Sequence, residues 1–200
     1  MTRVTALLAA VLATAAAAET EKIRNAHALV FEDTLAPGES RSFGGELPAV
    51  TVYTTQGSIG IAGAASTVRS GEVKFAAPGP VTLKNTGSGP LRFVRVEFPG
   101  KGSDETWGNT GIPHYQLLLE NRYARIYNIK VAAGATEPMH THKDRVVICL
   151  SGATIVHTTP EGRSEPATLT TGQIDWRAGA THVGHNTGKT DLWVVAIEPK

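Results

Sequence analysis

Cysteine is almost missing from this chain of 200 residues: Cys149 stands alone, so no disulfide can form within the chain. Its neighbours in RVVICLSG are apolar and β-forming, which predicts a small buried hydrophobe rather than a reactive thiol. Long helical runs of Leu, Glu and Lys are lacking as well. Gly, Thr, Val and Pro are plentiful instead, which points to an all-β chain rather than a bundle. Clustered charge is absent too: the net is +1 with Lys and Arg scattered, so no basic stripe exists for a phosphate backbone, and nucleic acid is excluded as a partner. Nor is there a stretch fit to span a bilayer, which takes about 20 apolar residues. The one strongly apolar segment, Val4 to Ala18, is shorter and Ala-rich.

That segment has the order of a secretory signal. It follows the basic Arg3 and ends in Ala16-Ala17-Ala18 before the polar Glu19-Thr20-Glu21-Lys22. The expectation is that residues 1–18 are removed, that the mature chain starts near Glu19, and that the protein is periplasmic or secreted with no membrane contact after cleavage.

What the chain does have is a repeat. GEVKFAAPGPVTLKNTGSGPLRFVRVEFP from Gly71 lies on GQIDWRAGATHVGHNTGKTDLWVVAIEP from Gly172, with Asn85-Thr86-Gly87 on Asn186-Thr187-Gly188 and Glu97 on Glu198. Upstream, ALVFEDTLAPGE from Ala28 lies on ARIYNIKVAAGA from Ala124, which brings Gly38 onto Gly134. Each half reads as short strands parted by Gly, Pro and Asn turns, the pattern of a sandwich or closed barrel. The Gly-rich, polar stretch between the repeats reads as a linker. The division is residues 19–100, a linker at 101–114, and residues 115–200.

Chemistry concentrates in the second half. His140-Thr141-His142 on a strand puts both imidazoles on one face, because side chains alternate. The turn before them and the apolar Val146 to Leu150 after them favour a barrel interior, and His182 could close the site from a neighbouring strand. His185, three residues on, is aimed away by the same alternation, into a surface or supporting role. His27, His114 and His157 fit no convergent pattern and read as surface or loop residues, and Trp176 as core or rim packing.

The segments GATEPMHTHKDRVVICLSG, from Gly134, and GQIDWRAGATHVGHN, from Gly172, resemble the two motifs of the cupin superfamily: Gly134, His140, His142 and Gly152 match the first, Gly179, His182 and Asn186 the second. Tyr115 to Lys200 is similar to the small exported cupins of bacteria, and the internal repeat makes the whole chain a duplicated, two-barrel version of them. The resemblance implies two tandem jelly-roll barrels, with one divalent transition metal (Fe, Zn, Mn, Ni or Cu) on His140, His142 and His182 of the second.

Two departures matter. Where the motif places its glutamate ligand this chain has Arg145, and the spacer after His142 is shorter. An arginine cannot ligate. Turned inward, Arg145 would bind an anionic substrate; turned outward, it would pair with a neighbouring carboxylate. Asp144 is a lesser option as a carboxylate ligand. In the first half the positions matching His140 and His142 fall on Gly44 or Gly45 and on Glu46 or Leu47, and His182 falls on Val81, so no imidazole site exists there. The functions open to such a chain are a metal-dependent dioxygenase, lyase or isomerase acting on a small, anionic molecule, or a non-catalytic periplasmic module that binds a metal or small ligand. A homodimer is compatible with either.

Overall fold

A computed structural model describes residues 19–106 and 111–200. The signal segment expected at residues 1–18 lies outside the described residues, as do residues 107–110 of the expected linker.

The described residues form strands and turns without a helix. The first half contributes β1 (Thr20–Arg24), β2 (Leu29–Leu35), β3 (Ser40–Phe43), β4 (Ala49–Tyr53), β5 (Gly57–Ile61), β6 (Ala64–Val68), β7 (Val73–Ala76), β8 (Val81–Asn85) and β9 (Leu91–Glu97). The second contributes β10 (Tyr115–Glu120), β11 (Ala124–Val131), β12 (His140–His142), β13 (Arg145–Ser151), β14 (Thr154–Thr158), β15 (Ser164–Thr168), β16 (Ile174–Arg177), β17 (Ala180–Asn186) and β18 (Leu192–Pro199). The antiparallel sheets are ordered β1-β2-β9-β4-β7 and β3-β8-β5-β6 in the first half, and β10-β11-β18-β13-β16 and β12-β17-β14-β15 in the second. Adding nine to every strand number of the first pair gives the second pair, so the repeat read in the sequence is a repeat of topology. Each half is a jelly roll of two facing sheets.

The same turn residues do the same work twice. Asn85 donates from Nδ2 to the carbonyls of Leu35 and Gly89, and accepts at Oδ1 from the amide of Gly87. Asn186 repeats this with Val131, Thr190 and Gly188. Gly38 and Gly134 both sit at φ 79°, a left-handed conformation that an L side chain adopts with strain, and each donates its amide to the carbonyl of its half's Asn.

Three cores follow from strand alternation. In β13 the odd positions, Val147 and the buried Cys149, face the second barrel's interior, while Val146 and Ile148 face the first half. In β18, Val194 and Ala196 point inward and Val195 and Ile197 outward. These strands are buried on both faces, which is why they read as continuous apolar runs. Val30, Val50, Val94 and Val96 of the first half meet Ile126, Val146, Val195 and Ile197 of the second in one shared core. Trp176 packs against that core and stacks on His27, so it is a packing residue. A third core, with Leu35, Phe43, Tyr53 and Phe93, fills the first barrel.

Candidate metal centre

His140 and His142 lie on β12, which pairs with β17 so that His140 is directly opposite His182. Alternation turns all three imidazoles into the second barrel, where they are buried. One nitrogen from each can be chosen so that the three lie within 4.8 Å of one another. The Nε2 atoms of His140 and His142 are 3.0 Å apart, and the Tyr115 hydroxyl, at the start of β10, is 2.9 Å from the first and 3.2 Å from the second.

Neighbouring groups fix which nitrogens point at the site. His140 donates from Nδ1 to the Pro138 carbonyl at 2.8 Å, which leaves the lone pair on Nε2. Behind His142, the Nδ1 atom is 3.8 Å from the buried carboxylate of Glu198, which also accepts from the Lys143 amide. A carboxylate behind an imidazole is the usual way of orienting a metal-binding histidine. Burial pushes His142 down to about 2 and His182 to about 3, with the Arg145 guanidinium and the other histidines adding to the effect. His140 is lowered as well, mainly by burial. Neutral imidazoles whose lone pairs converge at 3 Å repel one another unless a proton or a cation lies between them. The residues present therefore fit a transition metal: three nitrogen donors, uncharged, with the remaining positions open.

The surrounding cavity is small, about 40 Å³, against the roughly 10–15 Å³ that one water needs. Arg145 lines it: its guanidinium is buried and donates to the carbonyls of Lys143 and Ala178, so of the two orientations left open by the sequence, the inward one is found. Burial lowers its pKa to about 10, still charged at neutrality. Arg177, opposite it on β16, reaches the same cavity and pairs with Asp175. Asp144 does not join the imidazoles; its carboxylate accepts from the Gly179 amide. His185 turns away and bonds Thr136.

Four polar lining residues escaped sequence reasoning: Arg177, His157, Glu137 and Tyr115. His157, expected at the surface, is on β14 beside β17, lines the cavity and lies with its ring 4.3 Å from that of His182. Burial lowers it to about 4. Glu137 is buried, and burial raises it to about 7, opposed by its hydrogen bond with Tyr115. Tyr115 itself is raised by burial, Glu137 adding to the effect. Strand parity would aim Glu137 away from the histidines, three residues before His140. The chain, however, takes four steps from Thr136 to His140 while the partner strand takes three from His185 to His182. That extra residue is a bulge, and it returns a carboxylate to the pocket whose motif position holds Arg145.

The bulge also corrects the alignment of the halves. Phe43 pairs with Val81 as His140 pairs with His182, so the first-half counterpart of His140 is Phe43, not Gly44 or Gly45. The counterpart of His142 is Gly45, whose amide-bearing partner Gly79 stands opposite as Ala180 does.

Solved structures share this architecture. AerE from Microcystis aeruginosa superposes with a TM-score of 0.65 at 15% identity, over 91% of this chain and 97% of that one. A cupin 2 conserved barrel domain protein from Leptotrichia buccalis does so at 0.62 and 12%, over 94% and 92%. The fold is that of the cupins. An oxalate decarboxylase of Bacillus subtilis, a further neighbour, matches this chain at 0.58 and 15%, over 86% of this chain and 68% of that one. No protein-family model and no curated protein matches the sequence. At these identities the neighbours speak for the cupin fold, and the site must speak for its chemistry.

Proposed function

We propose that the chain is a metal-dependent enzyme acting on a small anionic molecule, with one divalent transition metal held by His140, His142 and His182. The observation that carries this reading is that a hydroxyl and a carboxyl, Tyr115 and Glu137, face the same cavity as the uncharged imidazoles of His142 and His182, with the Tyr115 hydroxyl 2.9 Å from Nε2 of His140. A module that only stored a ligand would need no proton carriers there. When bound, such a metal supplies Lewis-acid polarisation of a substrate oxygen, and electron transfer if it is a redox metal.

The chain's own residues supply the rest. Arg145 and Arg177 present two guanidinium groups, which favour a carboxylate and can hold it through paired hydrogen bonds. Glu137, raised to about 7, exchanges a proton readily near neutral pH, and the Tyr115 hydroxyl positions it. The walls of Ile129, Val147, Ile155 and Leu192 exclude water, and the cavity admits a ligand of only a few heavy atoms. Oxalate decarboxylase of Bacillus subtilis, with its Mn(II) centres, makes a dicarboxylate and a lyase reaction the first to try. The test is metal analysis of native protein followed by assay with small carboxylates, oxalate first. One metal per chain, turnover, and loss of turnover in Glu137→Gln with metal retained support the enzyme; metal and carboxylate binding without turnover of any of them would leave the binding module.

Export rests on the pattern of residues 1–18, and the unit boundaries on the separation of the sheets into Thr20–Glu97 and Tyr115–Pro199. Sequencing the exported protein from its N-terminus would place the start near Glu19; a start at Met1 with membrane retention would contradict it.

A further inference from the structure

The first barrel holds a cavity where the second holds its histidines. Strand pairing gives the correspondence residue by residue: Phe43 stands for His140, Val81 for His182 and Ile61 for His157. The cross-strand pair Ala49 and Ala76 stands for the pair Arg145 and Arg177. All five line the cavity. Each exchange replaces a polar group by an apolar one, and the last replaces two long side chains by two methyl groups. The volume rises accordingly, from about 40 Å³ in the second barrel to about 270 Å³ in the first.

The charges that remain are of one sign. Lys74 and Arg95 line the cavity, and among the described residues no carboxylate does. Arg95 is already engaged, 2.6 Å from Glu97 and over the Phe43 ring. Lys74 is half-exposed, and its one ion pair among the described residues, with Glu72 at 3.0 Å, is the exposed kind that is worth little and exchanges cheaply.

We propose that the first barrel is a second binding site, for a small amphipathic carboxylate whose apolar chain fills the space vacated by the polar residues and whose head group meets Lys74. Apolar walls with one or two placed polar groups are the general form of a small-molecule site, and this volume approaches the range such sites occupy. The first half thus has a ligand of its own class, independent of the metal in the second.

Octanoate is the probe, titrated calorimetrically into the full chain, with octan-1-ol as the uncharged comparison. Saturable binding of one octanoate is expected. Ala76→Leu, which fills the cavity at a half-buried position, weakens both ligands by about tenfold or more. Lys74→Met weakens octanoate alone, by up to about fivefold. His140→Ala with His142→Ala changes neither. Unaltered melting temperatures confirm that the variants are folded, and Val81→Phe replaces Ala76→Leu should that variant not be. The proposal is overturned by the absence of saturable binding up to millimolar octanoate, by affinity that survives both filling variants, or by binding that disappears with the two histidines.

Discussion

At the scale of residues, the site's chemistry depends on a few buried groups that can be removed one at a time. Only the second half supplies three imidazoles, so one metal per chain is expected, and His140→Ala with His142→Ala should abolish it as read by elemental analysis. Two equivalents in the wild type, or full content in the double variant, would sink the one-site reading. Arg145 faces the cavity, so Arg145→Gln should weaken a small carboxylate by about 1.5–3 kcal/mol, the worth of a charged hydrogen bond, in a salt-dependent way. Unchanged affinity with metal retained would remove Arg145 from the ligand. Glu137 is raised from 4.5 to about 7 by burial, so the folded state prefers its protonated form. Its contribution to stability is then complete below pH 4.5 and is lost as the pH rises toward 7. Metal-free Glu137→Gln should therefore melt higher than wild type at pH 8 and equally at pH 4. The same melting temperature at both pH values would mean that this carboxyl is not desolvated.

At the scale of elements, the paired Asn turns should matter as much as the strands. Asn186 and Asn85 are fully buried, and each holds three hydrogen bonds between a turn and the end of a distant strand. Replacing either by Ala leaves backbone carbonyls unpaired, and a loss of about 1–3 kcal/mol in urea unfolding is expected at each position. A larger loss at Asn186 alone would mean that the first half unfolds separately. These turns were legible in the sequence because they repeat with the same spacing. The triad was legible too, since two motifs at fixed distances brought His182 to the His-Thr-His strand. Glu137 was not, because alternation counts residues evenly and a bulge does not. The same uncounted residue displaced the first-half counterpart of His140 from Phe43 to Gly44 or Gly45. His157 was hidden for a different reason: its place in the pocket comes from β14 lying next to β17, a neighbourhood that only the sheet order reveals.

At the scale of the whole molecule, the two barrels are joined by more than the chain between them. Ala28, Val30, Val50, Val94 and Phe98 are buried against Ala124, Ile126, Val146, Val195 and Ile197, and each Val, Ile or Phe among them is worth about 1.5–3 kcal/mol when removed from water. Residues 115–200 expressed alone would leave one wall of that core exposed, and should self-associate or precipitate. A soluble monomeric fragment, seen by size-exclusion chromatography, would mean that the second barrel needs no partner surface.

The strand order also carries a timetable. β18 is the middle strand of its sheet and is made after the other described strands, and it brings Glu198, the carboxylate behind His142. At about 5–20 residues per second the first barrel can close seconds before the second, because its own middle strand, β9, ends at Glu97. Until Leu192–Pro199 arrives, β11 and β13 have no strand between them, and the three histidines have no closed barrel to hold them. Closure of the triad is thereby deferred until β18 is in place, and a product cut before Leu192 would lack the site.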